Sequence, residues 1–293
     1  MWDDIAKAIS EATGRPFRAT DHRPIGGGSI NDAYALMGDD ERYFVKLNDA
    51  AHGDMFEAEA EGLQEMLKAD AVACPEPITW GTSGGQAFIV LTYLDLGGRG
   101  SGQAMGTFGR QLAAMHRFTQ ARFGWHRDNT IGSTPQPNSP DSDWVSFWRR
   151  QRLGFQLELA ARNGYSGGLQ RDGDQLMDRL GAFFETYQPA ASLLHGDLWS
   201  GNYAIAADGQ PVIFDPAVYY GDREADLAMT ELFGSFGGDF YAAYDEAWPM
   251  DPGYRVRKTL YNLYHMLNHL NLFGSGYRGQ CERMLGQLLS EAR

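Results

Sequence analysis

A chain of 293 residues can bury a sizeable core and lies near the practical limit for a single one, so two lobes are expected. Its 43% hydrophobic, 22% charged and 13% aromatic residues are those of a globular protein and exclude a long disordered tail. The formal net charge of −13 excludes a general nucleic-acid or anionic-membrane surface, because that field repels phosphates away from any locally basic site. With only Cys74 and Cys281, and with early acids and no long apolar run in MWDDIAKAIS, no disulfide framework, signal peptide or membrane span is expected, and a reducing cytoplasm fits.

In chain order, Trp2, Ile5, Ile9 and Ala12 repeat at helical spacing before Gly14, which predicts an amphipathic helix over 2–13 with a glycine cap. HRPIGGGSINDAYALM and ERYFVKLN read as short antiparallel strands interrupted by a glycine loop, since Tyr34, Leu36, Tyr43 and Val45 alternate. Residues 54–69 are helical in pattern, CPEPI breaks the helix, and GGQAFIVLTYLDLGG reads as a last strand and a glycine-rich hinge. The lobe boundary is expected near Thr92–Gly98, giving an N-terminal lobe over 1–93 and a C-terminal lobe over 94–293. Helices are predicted over 103–118, 143–163, 172–187, 222–232 and 255–272, with one short β segment around 203–214.

The chemistry concentrates in LLHGDLWSGNYAIAADGQPVIFDPA, residues 193–217. Asp208-Gly209 is a two-residue hairpin signal, and a turn centred between them places Asn202 opposite Asp215, with Cβ atoms roughly 5 Å apart. An amide oxygen and a carboxylate so placed suit Mg²⁺, which prefers oxygen ligands and keeps water or phosphate oxygens as its other partners. Asp197, five residues before Asn202, is positioned to accept a proton from an attacking hydroxyl. Each residue alone reads as a turn-former; together the spacing matches the catalytic loop and metal aspartate of kinases, with His195-Gly196-Asp197 and Asp215-Pro216-Ala217 departing from the protein-kinase forms toward those of small-molecule kinases.

Lys46 ends the apolar run YFVK, where a strand-borne lysine can reach α- and β-phosphates; alone it reads as a solvated edge residue. On the next helix Glu59 falls on the apolar side with Phe56, Ala60, Leu63 and Leu67, whereas Glu57, Glu61, Gln64, Glu65 and Lys68 fall on the polar side. An inward carboxylate needs a cation, and Lys46 is the candidate. Gly26-Gly27-Gly28-Ser29 can bring backbone amides close to phosphates, although it lacks the Walker pattern and alone reads as a turn. His116 reads as a buried structural histidine; Asn262, His265 and His269 share a helix stripe that fits either an interior network or a substrate pocket. Cys74 and Cys281 have no partner motif for a metal or redox role.

Taken together, IGGGSINDAYAL, FVK, MFEAEAEGL, DNTIGSTPQPNSPDSDWVSFWRRQRL, LLHGDLWSGN and DPAVYYGDREADLAM resemble the fructosamine/ketosamine kinase family over nearly the whole chain. LHGDLWSGN with DPA-YYG is specific, whereas HGD-N alone is shared with aminoglycoside, choline and homoserine kinases. The resemblance implies an α+β, bilobal, protein-kinase-like fold and ATP- and Mg²⁺-dependent phosphorylation of the C3 hydroxyl of a ketosamine, whose unstable 3-phosphate gives the family its deglycating role. It implies Asp197 as base, Asn202 and Asp215 as metal ligands, and Lys46 with Glu59 as the phosphate-positioning pair. Thr92, Tyr93 and Leu94 match the adenine hinge, and Gly27, Gly28 and Ser29 the phosphate loop. Many members carry a cysteine where Ser29 stands, so the disulfide-linked dimer available to them is not implied, and a monomer or weak dimer is expected. Trp199, two residues after the base, offers a ring to the sugar's C–H face and to a protonated amine, and His269 is a second candidate for the acceptor. Partners are then small ketosamines or glycated amines and proteins, with an aminoglycoside or amino-alcohol kinase, or a nucleotide-binding pseudokinase, as rival readings.

Overall fold

Alternation along Arg42–Asp49 (the third strand below) explains how the N-terminal region is layered. Tyr43, Val45 and Leu47 pack on one face of the sheet with Ile5 and Ile9, while Phe44 and Lys46 point to the other. The computed structural model describes residues 1–26, 30–98 and 100–292. Helix α1 (Trp2–Thr13) ends, as its pattern predicts, at a left-handed Gly14 (φ 69°). Strands β1 (Asp21–Ile25), β2 (Asp32–Met37) and β3 (Arg42–Asp49) are followed by α2 (Gly53–Ala69), β4 (Pro77–Ser83) and β5 (Gln86–Thr92). They form an antiparallel sheet in the order β1-β2-β3-β5-β4, with α1 on one face and α2 on the other. The edge strand β4 was not legible, because Pro77 and Gly81 interrupt its pattern; as an edge it forgoes half its ladder, where Pro is tolerated.

The chain leaves the sheet after Thr92 and runs beside the hairpin over 203–213: Gly98 N donates to Ile205 O at 3.0 Å and Ala207 N to Asp95 O at 2.8 Å. A Cβ on Gly98 would lie 2.1 Å from Ala206 O, so only glycine permits this approach. Beyond it come α3 (Gly102–His116), β6 (Thr119–Gln120), β7 (Asn129–Ile131), β8 (Thr134–Gln136) and α4 (Trp144–Phe147), which runs through a π-helical stretch, Trp148–Gly154, into α5 (Phe155–Arg162). The single helix expected over 143–163 is thus interrupted. The helix expected over 172–187 begins earlier, as α6 (Gly168–Arg179), and tightens to a 3₁₀ turn over Leu180–Phe184. Then follow β9 (Ala191–Leu194), β10 (Tyr203–Ile205), β11 (Pro211–Ile213), β12 (Tyr219–Gly221), α7 (Glu224–Leu232), α8 (Gly238–Ala247), α9 (Tyr254–Phe273) and α10 (Arg278–Glu291).

Helices α8 and α10 were not anticipated. Gly279 and Gly286 lower helix propensity in α10, yet burying Cys281, Leu285 and Leu288 at helical spacing more than offsets it. The chain is therefore a small β-rich lobe joined to a larger, mainly helical one. Among the described residues, no helix is long and apolar enough to cross a membrane.

Candidate active site

Strand β9 is wholly buried and delivers His195, Gly196 and Asp197 to the floor of the cleft between the lobes. Gly196 adopts φ 82°, and a Cβ there would sit 2.0 Å from Ala217 O, so the turn before Asp197 demands glycine twice over. The turn is held from below by Asp226 on α7, whose carboxylate accepts from His195 N at 2.8 Å and from Gly196 N at 2.9 Å. His116 Nε2 lies 3.1 Å from the same carboxylate and His116 Nδ1 lies 2.7 Å from Tyr244 Oη, all of them buried. Burial opposes the charge on Asp226, but the hydrogen bonds from His116 and the loop hold its pKa below the ordinary value, so it remains an anion beneath the loop. His116 is thus the buried structural histidine expected, with the added task of bracing Asp226. Asp226 itself went unassigned in the sequence; the signal was a carboxylate inside the apolar helical run Ala225-Asp226-Leu227-Ala228, which must be paired if buried.

The hairpin differs from its expected register by one residue. Tyr203 pairs with Ile213 and Ile205 with Pro211, so Asn202 faces Phe214, whose N–H it accepts at 3.0 Å, and not Asp215. The cause is the turn: Ala206 N bonds Gln210 O at 2.8 Å and Gly209 takes φ 88°, making a three-residue loop with a glycine bulge in place of the two-residue turn read from Asp208-Gly209. Asp215 still reaches the cleft by another route, a left-handed backbone at φ 58° that turns its side chain out of the strand. His195 secures this end, its Nε2–H donating to Phe214 O at 2.9 Å while its Nδ1 accepts from Asp197 N at 3.2 Å.

Lys46 Nζ donates to Glu59 Oε1 at 2.6 Å and to Asp215 Oδ1 at 2.5 Å, so the ammonium joins strand β3, helix α2 and the segment that follows β11. Burial would depress its pKa, but Asp215 and Glu59 more than offset this, and Lys46 is held charged above its ordinary value. Asn202 Nδ2 donates to Asp197 O at 2.9 Å and to Asp197 Oδ2 at 3.1 Å, fixing the carboxylate. Burial, and then the negative charge of Asp215, push Asp197 up to about 7, with the Asn202 bond opposing. Asn202 Oδ1 and Asp215 Oδ2 accept no hydrogen bond among the described residues. These hard oxygen donors fit Mg²⁺ that takes its remaining ligands from phosphate and water. No group of three or more His, Cys, Asp or Glu is poised to enclose a metal among the described residues.

The cleft has a volume of about 680 Å³ and is lined by Lys46, Glu59, Asp197, Trp199, Asn202 and Asp215, with Thr92, Tyr93 and Leu94 at its back. Gly27, Gly28 and Ser29 lie outside the described residues; their neighbours Gly26, Ile30 and Asn31 line the cleft. Trp199 is 37% exposed, and Gly201 lets its indole fold back, since a Cβ there would be 2.3 Å from the ring. His269 is absent from the cleft wall and reaches it through Phe233, which packs 4.8 Å from the imidazole and 6.2 Å from Trp199. His265 is buried behind it, driven down to about 3 by desolvation, so it carries no charge near neutral pH. Cys74 and Cys281 are buried, each thiol pushed up to about 12 by desolvation.

A small sheet lobe bearing a lysine–glutamate pair, above a helical lobe bearing Asp197, Asn202 and Asp215, is the architecture of a protein-kinase-like phosphotransferase. The aminoglycoside phosphotransferase APH(4)-Ia, bound to ADP and hygromycin B, superimposes over 98% of both chains with a TM-score of 0.65 at 14% identity, a likeness of fold alone. A solved Thermobifida fusca protein, named as a candidate fructosamine-3-kinase, has a TM-score of 0.88 and 31% identity over 98% of this chain and 99% of its own. The profile described as fructosamine kinase matches residues 1–291. A probable ketoamine kinase of Synechocystis sp. is 48% identical, covering 98% of this chain and 97% of its own. The chloroplastic protein-ribulosamine 3-kinase of Arabidopsis thaliana is 42% identical, covering 99% and 89%. The chain belongs to the fructosamine kinase family, and it is a kinase that phosphorylates a hydroxyl group.

Proposed function

We propose that this kinase transfers the γ-phosphoryl group of ATP to the C3 hydroxyl of a ketosamine of the ribulosamine or fructosamine type. The observation that carries the reading is the convergence of Lys46, Glu59 and Asp215 with Asp197 and Asn202 on one cleft whose outer wall is Trp199. Adenine lies against Thr92, Tyr93 and Leu94, the phosphates lie beside Gly26, Ile30 and Asn31, and Lys46, fixed by Glu59, neutralises their charge. Asn202 Oδ1 and Asp215 would hold Mg²⁺, which would offset negative charge on the phosphates. Asp197 accepts the proton of the acceptor hydroxyl as its oxygen bonds to phosphorus and the bond to the β-phosphate oxygen breaks, leaving ADP. The transition state is loose, so positioning and charge stabilisation supply most of the acceleration.

Trp199 packs on the sugar's C–H face and attracts its protonated amine, and His269, behind Phe233, borders the acceptor's outer end. The protein works in the cytoplasm as a monomer or weak dimer on small ketosamines or glycated amines and proteins. The test is phosphate transfer from ATP to ribulosamine and fructosamine derivatives, with the phosphorylated carbon located by NMR. Transfer to aminoglycosides without ketosamine activity overturns the acceptor, and absence of any transfer favours a non-catalytic nucleotide-binding protein.

A further inference from the structure

The polar side of α2, turned away from Glu59, carries Asp54, Glu57, Glu61 and Glu65 at helical spacing. A sequence reading makes this a solvated face, but the larger lobe grips it. The Arg127 guanidinium donates to Asp54 Oδ1 at 2.5 Å and to Glu61 Oε1 at 2.8 Å, and lies 3.5 Å from Glu57 Oε2. His126 Nε2 lies 2.6 Å from Glu61 Oε2, and Tyr220 Oη donates to Glu65 Oε1 at 2.7 Å. Arg127 is 19% exposed and Glu61 27%, against 81% for Asp54 and 48% for Glu57, so the Glu61 contact is the least screened and contributes most.

The segment presenting these groups is itself rigid. Gly124 and Tyr220 exchange both backbone hydrogen bonds, at 2.8 and 2.9 Å, Trp125 N donates to Asn138 O at 2.9 Å, and Asn138 Nδ2 donates to Arg127 O at 3.2 Å. Nearby, Gly62 of α2 rests on the residues that follow Asp215: a Cβ there would come within 3.2 Å of Val218 Cγ2 and 3.9 Å of Pro216 Cγ. Helix α2 therefore packs on the sheet through β4 and β5 and is also seated on the larger lobe, so it links the sheet that bears Lys46 to the segment that bears Asp215. The contact of Lys46 with Glu59 on one side and Asp215 on the other spans both lobes, and the seat of α2 on the larger lobe is one of the restraints on it.

We propose that Arg127, backed by His126, latches α2 to the catalytic lobe and so acts as a positioning residue that keeps Glu59 against Lys46. The proposal rests on the reading of Lys46 and Glu59 as the phosphate-positioning pair. An arginine suits the task because its planar fork reaches two carboxylates at once, which a lysine cannot reproduce. Since Arg127 is away from the cleft lining, its loss leaves the nucleotide's contacts in place and disturbs only their geometry, a change that lowers turnover more than it weakens binding.

The experiment measures hydrogen exchange and steady-state kinetics on the full chain for wild type, Arg127→Gln and Arg127→Lys, each also in a Glu59→Gln background. Arg127→Gln is expected to speed amide exchange across α2 but not across α9, and to lower kcat on the order of tenfold with the KM for ATP little changed. Arg127→Lys is expected to restore part of both. In the Glu59→Gln background, Arg127→Gln is expected to cost little further, because the pair it positions is already broken. Unchanged exchange in α2, or a loss of the same size with and without Glu59, overturns the latch. If no ketosamine is turned over by the wild type, the proposed function falls and the exchange measurement alone decides the latch.

Discussion

The two lobes position their functional groups by opposite means. In the sheet lobe, Lys46 and Glu59 sit on regular elements, and the periods of a strand and a helix decide which way they face: Lys46 lies on the side of β3 away from Val45, and Glu59 on the buried side of α2. In the helical lobe, Asp197, Asn202 and Asp215 sit on irregular backbone, and their directions depend on partners far off in sequence: Asp226 beneath the loop, the His195 ring across it, and a left-handed turn at Asp215. A regular element tolerates a change in one side chain, whereas a loop held by named hydrogen bonds is sensitive to each.

The largest expected effect is at Asp197. Asp197→Asn keeps the shape and removes the proton acceptor, so kcat is expected to fall on the order of 10³-fold while the thermal midpoint stays within a few degrees. Calorimetry alongside kinetics checks this, and near-normal turnover would remove the base from the mechanism. The same residue predicts a pH profile. Its folded value is raised to about 7, and only the carboxylate accepts a proton, so kcat/KM is expected to fall as pH drops through about 7, with the Asn variant losing that acid limb.

Next in size is Lys46→Met, which tests the lobe built on regular elements. Turnover is expected to fall about a hundredfold through lost phosphate neutralisation. Stability is expected to change much less, because the buried Glu59 can neutralise itself by taking up a proton. A large fall in thermal midpoint with turnover preserved would reverse that assignment. Smaller again is Trp199→Ala. A stacking and cation–π contact is worth about 0.5 to 2 kcal/mol, so the acceptor KM is expected to rise about tenfold with the ATP KM unchanged. Equal rises in both would give Trp199 a loop-packing role.

The smallest expected difference, one of stability between two inactive variants, distinguishes the two positioning strategies most sharply. Asp215 pays for its reach into the cleft with a left-handed backbone, which disfavours any residue with a Cβ by about 1 to 2 kcal/mol. Both Asp215→Ala and Asp215→Gly are expected to abolish Mg²⁺-dependent turnover, but the glycine variant is expected to be about 1 kcal/mol more stable in urea unfolding. Equal stability would show that the backbone relaxes once the carboxylate is gone.

The sequence by itself determined what local physics can determine: the inward faces of β3 and α2, hence Lys46 and Glu59; the glycine cap of α1; the short hairpin; and Asp197 and Asn202 five residues apart on one loop. It could not determine the hairpin's register, because Asp208-Gly209 fits both a two-residue turn and the observed glycine-bulged loop, and the packing of 94–98 against the hairpin selects between them. Nor could it show that Asp226 anchors the turn before Asp197 or that Arg127 grips the outer face of α2. Those partners lie 30 and 66 residues from the groups they hold, counting from Gly196 and Glu61, and no local periodicity reports on a contact made only once the chain has folded back on itself.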